Sequence, residues 1–213
     1  MDADTAKRLQ LRTGLEKIAD LVRAQSWRED GAGLSPTQRA LLVTLARNPE
    51  GLRASQIAAN LGVSAASLSD SVRAVETRGW LQRVPDSADV RASRLTLTPA
   101  GTALAAKLDG PDSGLAQLVA ALPATDADAL LRAMQLLIHE AQARGLLDGL
   151  RTCLGCAFFR PFASGDPARP HFCAFVDAAF GDAALRTDCA EQQPQHDVDA
   201  LSANVLRFRE GAH

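Results

Sequence analysis

The sequence predicts a mainly α fold with one small β-hairpin, followed by a short metal-binding appendage. Three observations carry this. Apolar residues recur at helical spacing through most of the first 147 positions. The period changes to alternation in one place, between residues 80 and 98. All four cysteines fall between Cys153 and Cys189. The chain therefore divides into residues 1–147, a helical domain, and residues 148–213, a cysteine- and phenylalanine-rich extension that holds all seven phenylalanines.

Bulk composition bounds the possibilities. With 213 residues, 46% of them hydrophobic, the chain has the material for a real core. It has no run of 18 apolar residues, so no membrane span is expected. The N-terminus "MDADTAKRLQ" is charged and unlike a secretory signal. A reducing cytoplasm is the expected setting, where thiols more often hold metal or do redox work than form disulfides. The net charge of −2 carries no global sign of nucleic acid, so any DNA-binding face must come from local arrangement.

The elements follow in order. Leu11, Leu15, Ile18 and Val22 form one stripe of a helix over residues 5–26. Ser35, Pro36 and Gln38 start a second helix with a capping hydroxyl, a first-turn proline and a capping-box Gln; it stops at Asn48-Pro49. A short helix then buries Ile57, Ala58 and Leu61 and ends at Gly62. Ser64 caps the next, which buries Leu68, Val72 and Val75 and ends at Gly79. Two short helices joined by a tight glycine turn are a helix–turn–helix. "WLQRV" and "RLTLT" then alternate around the polar loop "PDSADVRAS", which reads as a hairpin. Thr98-Pro99 opens another helix. After "DGPDSG" come helices near 115–121 and 125–147, the latter with stripes Leu130/Met134/Leu137/Ala141 and Leu131/Ile138/Gly145. Such stripes are usually core. The first and last helices are too long for a small domain to cover, so they are expected to pair with a second subunit as dimerisation helices.

This order resembles the MarR family of winged-helix transcriptional regulators over residues 5–147. The resemblance rests on Gly79-Trp80-Leu81-Gln82-Arg83 at the helix–hairpin junction, Asp89-Val90-Arg91-Ala92 in the hairpin, and Leu97-Thr98-Pro99-Ala100-Gly101 after it. It implies a winged helix–turn–helix core in a homodimer, binding a pseudo-palindromic operator in double-stranded DNA and usually repressing. The residue chemistry agrees. On helix 64–78, Ser64, Ser67, Ser69, Ser71 and Arg73 offer hydroxyl and guanidinium donors to a major groove; Arg91 and Arg94 in the hairpin reach a backbone or minor groove. Asp89 is placed to orient Arg91. Val90 stands where the family's wing has an arginine, and Asp70 puts an acid on the recognition helix. Residues 53–94 hold six arginines and four acids, so few phosphate contacts and a shallow salt dependence are expected.

Cys153, Cys156, Cys173 and Cys189 have the spacing C-x2-C-x16-C-x15-C. Four thiols with none spare suit a tetrahedral zinc site or an iron–sulfur cluster. An iron–sulfur cluster is favoured over zinc, because one CxxC pair replaces the two common in zinc sites and six phenylalanines stand by to exclude water. His171 and His196 are alternative zinc ligands, more naturally surface or supporting histidines. The expected function is a DNA-binding regulator, by resemblance a repressor, whose metal centre senses redox state, iron or nitric oxide. The alternatives are a structural zinc site with a small-molecule effector in the dimer cleft, and a redox or interaction protein that binds no DNA. No enzyme is expected: there is no nucleotide loop or nucleophile motif, His139 stands alone, and Glu76 and Glu140 lack partners at catalytic spacing.

Overall fold

A computed structural model describes residues 2–28, 33–111 and 113–211; the expected breaks before Ser35 and at 109–114 lie partly outside them. The chain forms two compact units, 1–120 and 121–213. The division falls before the long helix expected at 125–147, not after it, because that helix packs with the cysteine-bearing segment.

The first unit runs α1 (Ala3–Arg28), α2 (Pro36–Ala46), α3 (Ala54–Leu61), α4 (Ala65–Thr77), β1 (Leu81–Asp86), β2 (Asp89–Leu97), α5 (Pro99–Leu108) and α6 (Gly114–Ala120). Its helix ends match their sequence signals. Ser35 and Gln38 form the capping box of α2. Gly62 closes α3 in the left-handed region at φ +62°, and Ser64 accepts from the Ser67 N–H to open α4. The core is aliphatic: Leu41, Leu42 and Leu45 of α2, Ile57 of α3, Leu68, Val72 and Val75 of α4, and Leu81 and Leu95 of the hairpin. The α1 stripe is not core within this chain, since Leu11, Leu15 and Ile18 are all exposed.

The hairpin is longer than its alternation suggests. β1 and β2 pair from Leu81↔Leu97 to Asp86↔Asp89 with an irregularity at Pro85/Asp86, so most of the presumed loop 85–93 is strand. A bridge between Leu52 and Leu95 adds a third piece of extended chain. Thr98 joins hairpin to helix. Its hydroxyl donates to the Gly79 carbonyl and accepts from the Gly101 N–H. A Cβ at Gly101 would lie 1.9 Å from the Trp80 carbonyl oxygen, which is why that position has no side chain.

The second unit comprises α7 (Ala124–Ala143), a three-stranded antiparallel sheet β3 (Phe159–Arg160), β4 (His171–Cys173) and β5 (Ala178–Phe180), and α8 (Val198–Glu210), which Asp197 caps. The α7 residues Leu130, Met134 and Leu137 are exposed within this chain, and the residue it buries fully is Gln135. The core holds Leu154, Phe159, Leu185, Val205 and Phe208. His171 sits at its centre, wholly buried and ringed by Phe159, Phe162, Phe180 and Phe208. Its Nδ1 accepts from the Phe162 N–H at 3.3 Å, and its Nε2 lies 2.7 Å from Asp182. Burial lowers its pKa below the ordinary histidine value. His171 is thus a core residue, and His196 is exposed. Among the described residues no helix is long and apolar enough to cross a membrane.

Two substitutions check this packing. Gly101→Ala forces α5 off the β1 junction and is expected to cost at least ~2 kcal/mol in urea denaturation. His171→Leu strands the Phe162 N–H and the Asp182 carboxylate and is expected to cost roughly 2–3 kcal/mol. Wild-type stability in either variant contradicts the packing described.

Candidate functional site

Helix α4 has a sealed face and an open one. Leu68, Ser71, Val72 and Val75 are buried, spaced as one helical stripe. Ser64, Ser67, Ser69, Asp70 and Arg73 are exposed on the remaining surface. Ser71 must therefore leave the expected DNA-facing set: it is buried, and its hydroxyl donates to the Ser67 carbonyl at 3.1 Å. The signal was present in the sequence, since 71 falls on the 68–72–75 stripe. Asp70 and Arg73 pair at 3.8 Å, but both are largely exposed, so the pair is weak and leaves Arg73 able to reach elsewhere.

The hairpin is held by a residue the sequence reading missed. Asp86 is buried at the end of β1 and accepts from Arg53 Nε at 2.6 Å, Arg94 Nε at 3.3 Å and the Ala88 N–H at 2.8 Å. The Arg53 hydrogen bond, followed by that from the Ala88 N–H, holds the Asp86 carboxyl far below the usual carboxylate range. The same contact raises the Arg53 pKa. Arg53 is the residue before α3, so one carboxylate ties the hairpin to the start of the helix–turn–helix. Arg94 corrects a second expectation. Its guanidinium is committed to Asp86 and to the Glu50 and Gly51 carbonyls, at 3.2 and 2.9 Å, and serves the scaffold. Asp89 accepts from the Arg91 backbone N–H at 3.0 Å. Arg91 itself is exposed. The side chain of Val90 lies outside the described residues.

In the second unit, all four cysteines line one cavity of about 340 Å³. Backbone pairing sets each of them. The Cys156 N–H donates to the Cys153 carbonyl, closing the CxxC turn, and the Cys153 N–H donates to the Arg186 carbonyl. Cys173 ends β4 opposite Phe159, and the Cys189 N–H donates to the Arg151 carbonyl. The Arg186 N–H donates to Cys153 Sγ at 3.3 Å, and the Cys189 thiol donates to Glu191 at 3.6 Å. Burial pushes the Cys153 thiol up to about 11; the Arg186 N–H opposes this, and the three other cysteines add to it. Phe158, Phe175 and Phe180 form part of the wall. The phenylalanines thus divide between cavity wall and core. Gln135 anchors the arrangement to α7: its amide donates to the Arg186 carbonyl at 3.0 Å and accepts from the Leu154 N–H at 3.2 Å. Among the described residues, no three His, Cys, Asp or Glu side chains converge as a group able to hold a single metal ion.

Residues 32–92 match the model of the MarR family. A probable transcriptional regulator from Pseudomonas aeruginosa is 28% identical, with 60% of this chain and 96% of that one covered and a TM-score of 0.51. A MarR family transcription regulator is 26% identical, over 67% of this chain and 97% of its own, also at 0.51. FabT of Streptococcus pneumoniae, solved in complex with DNA, is 13% identical over 66% of this chain and 98% of its own at 0.53, a likeness of fold alone. No curated protein matches the chain.

The Asp86 network predicts a pH dependence. A carboxyl depressed in the folded state adds stability above its unfolded value, about 3.9, and loses it as pH falls toward the folded value. Wild type is expected to exceed Asp86→Asn in stability most clearly above about pH 4, with the gap closing in more acid solution. Urea denaturation across that range reads this; a gap independent of pH refutes the network.

Proposed function

Because residues 32–92 carry the MarR-family winged helix, we propose that the protein is a DNA-binding transcriptional regulator, acting as a homodimeric repressor on a pseudo-palindromic operator. The observation that carries this is α4 itself. One face is sealed in the core, and the other presents Ser64, Ser67, Ser69 and Arg73 to solvent. A helix so presented fits the major groove, where hydroxyls bind phosphates or base edges and arginine suits phosphate or guanine. Arg91 is the hairpin's contribution, held by Asp89 and, through the strand, by Asp86. The exposed apolar face of α1, with Leu11, Leu15 and Ile18, supports burial against a second copy. Such a regulator works in the cytoplasm, beside the chromosome.

The C-terminal unit is the responsive part in this reading. Its four cysteines meet on one cavity, which supports a sulfur-ligated metal centre, iron–sulfur rather than zinc, answering to redox state, iron or nitric oxide. A second reading, a small-molecule effector, is favoured by a cavity of about 490 Å³ in the first unit, bordered by Val22, Val43 and Leu108.

Gel shift on the DNA upstream of the protein's own gene tests the DNA reading. Arg73→Ala and Arg91→Ala are each expected to weaken binding about tenfold and to flatten the salt dependence. Ser71→Ala is expected to leave affinity unchanged. Full affinity in both arginine variants overturns the assignment.

A further inference from the structure

We infer that the cysteine cavity takes a cubane iron–sulfur cluster, with Cys153, Cys156, Cys173 and Cys189 each bound to one iron. This deepens the reading of the C-terminal unit given above and rests on it only in taking the four thiols as one metal site.

The argument is one of size. A single zinc ion holds its thiolates at about 2.3 Å, which brings tetrahedral sulfurs within roughly 4 Å of one another. Here the four cysteines line a common cavity of about 340 Å³, more room than one ion fills. A cubane places irons and inorganic sulfides between the thiolates, so it needs them on the wall of a larger space. The four come from three backbone segments: the 153–156 turn, the end of β4, and the chain at 189. Each is pinned by backbone hydrogen bonds or strand pairing, so their separation is part of the fold.

The wall suits such a cluster. Four thiolates around an oxidised cubane leave a net charge of about −2, which needs nearby positive charge and N–H donors. Arg186 supplies both kinds of group: it borders the cavity, and its backbone N–H already donates to Cys153 Sγ. Phe158, Phe175 and Phe180 add apolar wall beside the sulfurs. As iron binds, each thiol loses its proton. Those protons leave to solvent; Glu191 accepts from the Cys189 thiol at 3.6 Å.

The test is anaerobic reconstitution of the full chain with sulfide and equal amounts of ferrous and ferric iron, the two oxidation states an oxidised cubane contains, beside a parallel sample given zinc alone. The expected result is about four irons and about four sulfides per chain, a broad brown absorbance, and its bleaching with a paramagnetic signal when dithionite adds one electron. Cys156→Ser and Cys173→Ser are each expected to lose the cluster, with circular dichroism reporting whether the helices persist. Should a variant fail to fold, the wild-type stoichiometry still decides. A colourless protein that keeps about one zinc per chain through reconstitution overturns the cluster and leaves a metal site. A protein that takes up neither overturns the cluster and the metal site together. A Cys173→Ser chain with a full cluster overturns the four-ligand assignment. Gel shift on the same samples reads the DNA reading independently.

Discussion

A single buried carboxylate fixes the working geometry of the first unit. Asp86 ends β1 and takes Arg53 from the threshold of α3, Arg94 from β2 and a backbone N–H from the turn between the strands. Without it, two guanidiniums face each other across a hairpin whose tip has no apolar core. Paired ions in such places bring orientation more than stability. What Asp86 secures is the position of an exposed hairpin relative to the start of the helix–turn–helix.

The second unit solves its problem differently. It has little aliphatic material, so its centre is a histidine enclosed by four phenylalanines, with every ring nitrogen engaged. Arg132 lies over the Phe162 and Phe208 rings at 4.9 and 4.6 Å and donates to the Phe208 carbonyl. Short strands of two or three residues hold the cysteine-bearing segments. Such a unit has few apolar contacts to spare, so each buried hydrogen bond of the histidine matters to it.

Much of the first unit is legible in the residues. Ser35 with Gln38, Gly62, Ser64 and Thr98 each mark a boundary through local backbone chemistry, and local chemistry does not depend on tertiary context. What lies beyond reach is long-range. Nothing near Asp86 in sequence announces Arg53, and the polar residues 85–93 carry strand pairing without apolar alternation. Arg94 reads as a free cation until Glu50 and Gly51 come beside it. In α7, the apolar stripe is exposed and the buried contact is made by a glutamine whose partners lie beyond residue 150, which no local signal announces. Ser71 is the opposite case: its place on the inward stripe was readable, and its polar side chain hid it.

Gln135 gives α7 a particular mechanical character. One fully buried amide spans two loops, accepting a hydrogen bond from the first and donating one to the second. Any relaxation of the chain at 153–156 or at 186 leaves that amide half-satisfied in the interior. The seat of the helix and the spacing of the two loops are thus tied through one side chain.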